Sequence, residues 1–66
     1  MNVKVNGETK SLSERITVHD MLLGLGIDPR SVVVERNLRI IPRSELANEF
    51  VEEGDTVEII RLVGGG

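Results

Sequence analysis

Apolar and polar positions alternate at the start of the chain, with Val3 and Val5 set among Asn2, Lys4 and Asn6. A period of two marks a half-buried strand. Asn6-Gly7 then breaks the pattern with the dipeptide that best tolerates the positive φ angles of a type I′ turn. The stretch NVKVNGETKSL therefore predicts an opening β-hairpin, with a binding loop at Asn6-Gly7 as the competing reading. Across ITVHDMLLGLGIDP the period changes, and Val18, Met21, Leu22 and Leu25 fall on one inward stripe of a helix. Thr17 suits the N-cap, with Asp20 complementing the positive end of the helix dipole. Gly26 suits the left-handed position after the last turn, and Pro29 prevents continuation. His19 reads as an exposed residue of the first turn.

SVVVERNLRIIPR carries two short runs of strand formers, Val32 to Glu35 and Leu38 to Ile41, with Arg36-Asn37 as the expected turn. Pro42 ends the second run. In RSELANEFVEEGDT, a short helical turn through Leu46 and Ala47 is expected, Phe50 is expected to fill the core, and Glu52 and Glu53 read as a solvated turn before Gly54-Asp55 reverses the chain. TVEIIRLV predicts a last strand with apolar side chains in both phases. Val57 and Ile59 are placed inward. Ile60 and Leu62 then form a candidate patch for partner docking, unless loops or the short helical turn cover them.

The predicted order is strand, strand, helix, strand, strand, short helix, strand. A right-handed crossover through the helix brings the final strand parallel to the first in mid-sheet. The expected fold is α+β, a mixed sheet of four to five strands clasping one main helix, in the ubiquitin-like β-grasp arrangement.

Composition narrows the function. A chain of 66 residues holds one domain, and a domain of that size buries about 60% of its unfolded surface, which leaves little interior for an enzyme pocket. There is no cysteine and a single histidine, His19, so thiolate chemistry, disulfides and multi-ligand metal sites are not expected. No cofactor is expected. A net charge of −3 with one Phe and no Trp or Tyr argues against nucleic acid and anionic membranes as partners. No apolar segment approaches the roughly 20 residues of a membrane span. A cytoplasmic protein, monomeric when free, is the expectation.

The chain closes on RLVGGG. A linker or frayed end is the ordinary reading of a glycine run. Here the run directly follows a predicted strand, and a terminal α-carboxylate is ionised at neutral pH. Glycine lacks a Cβ, so Gly64, Gly65 and Gly66 can thread a channel closed to other residues, reaching about 10 Å. The chain divides on this reading into a folded unit of 1–63 and a flexible tail of 64–66. Adenylation of such a carboxylate would give an electrophile that a sulfur nucleophile could attack, with the activation chemistry supplied by a partner.

The motifs VNGE, TVHDML, VVVERN, IIPRSE and EGDTVEIIRLVGGG together resemble the sulfur carrier protein ThiS family of thiamine biosynthesis over the whole chain. The resemblance implies that Gly66 is adenylated by a ThiF-type enzyme, converted to a thiocarboxylate, and used by the thiazole synthase ThiG. Gly65 and Gly66 match the family's terminal pair, and Gly64 extends it. The resemblance departs at Leu38, where members commonly carry glycine or another small residue, so that turn is expected to be tighter or shifted. The small subunit of molybdopterin synthase, a ubiquitin-like modifier and a plain binding module are the alternatives.

Overall fold

The computed structural model describes residues 1–62. Among these described residues the element order is β1 (Asn2–Val5), β2 (Glu8–Ser11), α1 (Val18–Gly24), a 3-10 turn (Pro29–Ser31), β3 (Val32–Arg36), β4 (Arg39–Ile41), a second 3-10 turn (Arg43–Glu45) and β5 (Thr56–Arg61). This is the order the sequence predicts, with the 3-10 turn at Pro29–Ser31 added between α1 and β3.

The opening hairpin forms as expected. Asn6 and Gly7 take φ values of 50° and 84°, as a type I′ turn requires, and Val3 and Val5 point into the core. Thr17 caps α1 by accepting the Asp20 N–H at 3.1 Å. The helix stops where Gly26 adopts φ 75°. There the Gly26 N–H donates to the Leu23 carbonyl at 3.0 Å and the Ile27 N–H to the Leu22 carbonyl at 2.9 Å, the double bond of a Schellman ending. Leu25 is the C-cap rather than a member of the inward stripe. It has left the helical spiral, and it is exposed, whereas Val18, Met21 and Leu22 are buried.

The second hairpin is shifted by one residue from the sequence expectation. Arg36 belongs to β3 and pairs with Arg39, so the turn residues are Asn37 and Leu38, with φ values of 52° and 69°. Leu38 thus occupies a left-handed position while its side chain is 92% exposed. Phe50 also departs from expectation. The chain around it pairs antiparallel with the segment before α1: the Val18 N–H donates to the Glu49 carbonyl at 2.8 Å and the Val51 N–H to the Ile16 carbonyl at 2.9 Å. Alternation then turns Val51 inward, fully buried, and leaves Phe50 at the margin, where the Arg15 guanidinium lies 3.9 Å from its ring centroid.

The sheet order is β2-β1-β5-β3-β4. β5 runs parallel to β1 and antiparallel to β3, which places it at the centre, as a β-grasp demands. α1 covers one face, with Val3, Val5, Val34, Ile41 and Val57 meeting Val18, Met21 and Leu22 in the core. Each of these side chains contributes about 1.5–3 kcal/mol on full burial.

Candidate functional site

The chain's candidate reactive group lies beyond β5, so the site is built from what holds that strand. Its start is fixed by Asp55, the one buried charged residue among those described. Asp55 Oδ2 accepts from Arg36 Nε at 2.6 Å and from the Glu52 N–H at 2.7 Å, and Oδ1 accepts from Asn37 Nδ2 at 2.9 Å. Asn37 completes the join: its Oδ1 accepts the Thr56 N–H at 2.9 Å, and its own N–H donates to the Thr56 carbonyl at 2.8 Å. Burial pushes the Asp55 carboxyl up. The hydrogen bonds from Arg36, Asn37 and Glu52 outweigh that effect and hold it below the ordinary carboxylate value. Gly54, with φ 82°, makes the reversal that brings Asp55 into this position.

The middle of β5 is fixed by Asn6. Its backbone N–H donates to the Val57 carbonyl at 2.9 Å. Its side chain accepts the Ile59 N–H at 2.7 Å and donates to the Ile59 carbonyl at 3.3 Å. The amide thus imitates one more rung of β1 just where β1 turns away. On the other side, pairing with β3 runs to Val32↔Arg61, and the Leu62 N–H donates to the Ser31 carbonyl at 2.9 Å. The chain is held through Leu62.

Alternation along β5 sorts its side chains as the sequence predicts. Ile59 packs partly against the core, while Ile60 and Leu62 are 51% and 48% exposed. Neither the loops nor the second 3-10 turn covers them. Around them on the open face stand Val33, opposite Ile60, and Glu35, opposite both Glu58 and Ile40; Ile40 is exposed. Gly64, Gly65 and Gly66 lie outside the described residues, as does the boundary between the folded unit of 1–63 and the tail.

Other candidates gain no chemistry from the structure. His19 Nδ1 sits 3.4 Å from Asp20 Oδ1 on the exposed side of α1. Among the described residues no three His, Asp or Glu side chains converge on a metal position, and no helix is long and apolar enough to cross a membrane. Glu52 and Glu53 do not form a dyad: Glu52 lies 3.7 Å from Arg15 Nη2, and Glu53 accepts the Asn2 N–H at 3.0 Å.

Sequence reasoning missed the two residues that place β5. Asn6 was legible as a turn former but not as a rung. Asp55 was legible as part of a reversal; its signal is a carboxylate directly after a turn glycine and before a strand, with Arg36-Asn37 at the end of another.

Comparison with known proteins gives a consistent picture. A family model described as the ThiS family matches residues 3–66. A thiazole synthase of Paramagnetospirillum magneticum is 46% identical over 66 residues, covering 100% of this chain and 20% of that protein. A thiazole synthase of Magnetococcus marinus is 33% identical over the same span, so the chain covers 20% of the length of each of these relatives. The sulfur carrier protein ThiS of Bacillus subtilis is 31% identical over 65 residues, covering 97% of this chain and 98% of that protein. The crystal structure of the thiamine biosynthesis protein ThiS from Geobacter metallireducens superposes with a TM-score of 0.87 at 32% identity, covering 100% of both chains.

Proposed function

The chain belongs to the ThiS family, and on that premise we propose that it is a sulfur carrier of thiamine biosynthesis in which Gly66 bears the sulfur and Gly64 and Gly65 thread its path. Residues 1–63 are the folded body in this reading and 64–66 the working tail. The observation that carries it is the fixation of β5 from Asp55 to Leu62, which gives whatever follows Leu62 a defined starting point. Leu62 shares the open face with Ile60. A partner seated on those two side chains therefore has the next residues of the chain beside it.

The chemistry is acyl activation. The Gly66 carboxylate attacks the α-phosphorus of ATP, pyrophosphate leaves, and the carbon becomes an acyl-adenylate. The outer sulfur of a donor persulfide then displaces AMP to give an acyl disulfide. A thiol attacks the donor-side sulfur, which breaks the S–S bond, releases the thiocarboxylate and leaves the donor as a disulfide with that thiol. A ThiF-type enzyme supplies the Mg²⁺ and the phosphate clamp, and the thiazole synthase ThiG consumes the product. The carrier itself acts as a co-substrate. Its own contribution is to dock, to aim and to present one carboxyl without a side chain in the way. Similarity to a fifth of each of two thiazole synthases supports thiazole formation as the destination over the molybdopterin and protein-modifier alternatives.

Intact-mass measurement after incubation with ATP, Mg²⁺, a ThiF-type enzyme and a sulfur donor tests the proposal. The expected result is a gain equal to replacement of one oxygen by sulfur, localised to the last peptide. No gain, or a gain elsewhere in the chain, would overturn it.

A further inference from the structure

The side chain that holds the middle of β5 belongs to a chemically labile dipeptide. Asn6 is the one asparagine followed by glycine; Asn2, Asn37 and Asn48 precede Val3, Leu38 and Glu49, whose side chains crowd the next backbone nitrogen. Asn6 and Gly7 are both exposed. Beyond the adjoining residues, no atom lies within 4 Å of the place a Gly7 Cβ would fill, and among the described residues no acceptor takes the Gly7 N–H. The nitrogen is open to approach. The Asn6 amide, by contrast, is engaged at both ends: Oδ1 accepts the Ile59 N–H at 2.7 Å and Nδ2 donates to the Ile59 carbonyl at 3.3 Å.

We propose that Asn6-Gly7 is a site of spontaneous deamidation, gated by β5, whose products unfasten the middle of that strand. The Gly7 nitrogen, its proton taken by hydroxide, attacks Asn6 Cγ. The new N–Cγ bond closes a cyclic imide, the Cγ–Nδ2 bond breaks, and ammonia leaves with a proton drawn from water. A second water then opens the imide. Cleavage of the bond from the Gly7 nitrogen to Cγ gives aspartate, and cleavage of the bond to the Asn6 backbone carbon gives isoaspartate, in which the chain runs through Cγ. Both hydrogen bonds to Ile59 must break before Cγ can turn to the Gly7 nitrogen, so the reaction waits on local opening of β5. Loss of ammonia makes it one-way. Aspartate keeps the acceptor for the Ile59 N–H but replaces the donating amide by an oxygen, ionised at neutral pH, so that acceptor meets acceptor at the Ile59 carbonyl. Isoaspartate adds a backbone carbon to a two-residue turn whose φ values of 50° and 84° fit a type I′ geometry, and the closing pair Val5↔Glu8 loses its register. A brief release of β5 thereby becomes a lasting one. The inference goes beyond the sulfur-carrier reading and concerns the folded body alone.

The test holds the full chain at mildly alkaline pH, both folded and in denaturing urea, and follows it by peptide mapping with electron-transfer fragmentation, which separates aspartate from isoaspartate. The expected result is conversion localised to Asn6, giving both products, slower in the folded chain than in urea and hastened by urea below the unfolding transition. Asn2, Asn37 and Asn48 should stay intact over the same period. Hydrogen exchange read by NMR should show the Ile59 N–H about tenfold faster in the purified products, as the loss of one hydrogen bond implies. Asn6→Asp, made directly, should reproduce the exchange of the aspartate product and melt at a lower temperature than the wild type. An Asn6 amide that persists in the folded chain after the unfolded chain has fully converted would overturn the inference. So would equal rates in the two states, or an Ile59 N–H that exchanges as in the wild type both in the aged products and in Asn6→Asp.

Discussion

Arg36 Nε donates to Asp55 Oδ2 at 2.6 Å across 19 residues of chain, tying the end of β3 to the residue that precedes β5. The bond fixes the strand on which the proposed function depends at a point remote from the tail. Replacing Asp55 by Ala leaves the Arg36 guanidinium, the Asn37 amide and the Glu52 N–H without their acceptor. The loss expected is about 3 kcal/mol, a large share of the stability of so small a domain. Urea unfolding followed by circular dichroism measures it.

The same carboxylate predicts an acid limb. Its folded-state value lies below the ordinary 3.8, so its contribution is complete above that pH and is lost as pH falls through the lower, folded-state value. Stability of the wild type should decline through this window more steeply than that of Asp55→Asn, which has no proton to take up at this position. Melting curves taken from neutral pH down to about pH 2 compare the two.

Leu38 pays for its place in the turn with a left-handed backbone that glycine adopts freely, while its exposed side chain returns little. Leu38→Gly should stabilise the protein by about 0.5–1 kcal/mol, the relief of strain being partly offset by the extra freedom of glycine in the unfolded chain. Leu38→Val should act in the opposite direction, because β-branching makes a positive φ less accessible. Thermal denaturation of both variants checks the sign.

Tail and docking face should separate by mutation. Deleting Gly66 should abolish sulfur loading while leaving the melting temperature and partner affinity near those of the wild type. Ile60→Glu or Leu62→Glu should weaken docking about tenfold, or about 1.4 kcal/mol, with the tail intact. Parallel assays of mass gain and binding decide the matter; a truncated chain that still accepts sulfur would remove Gly66 from its proposed role.

Much of the architecture was legible because its signals are local. Alternation at Val3 and Val5, the Thr17 cap, the Gly26 ending and the two-phase pattern of β5 each depend on neighbouring residues, and each forms as predicted. The errors arise where a distant partner decides. The sequence places Arg36 in the turn because nothing nearby reveals Asp55, whereas the Asp55 bond keeps it in β3. The sequence places Phe50, its one aromatic residue, in the core, whereas pairing of its segment with Ile16 and Val18 turns Val51 inward instead. Exposure of Ile60 and Leu62 could be argued from phase alone. The opposition of Glu35 and Glu58 could not, because it requires the register of two strands with 19 residues between them.

The central position of β5 also constrains how the protein comes into being. Within the sheet its neighbours β1 and β3 meet through it, so on the ribosome each of the two hairpins waits with one strand edge unpaired. Such non-local closure is slow compared with hairpin formation. Fragments that stop before Thr56 should therefore remain open and vulnerable to proteases, and compactness should arrive only once synthesis has delivered the keystone strand.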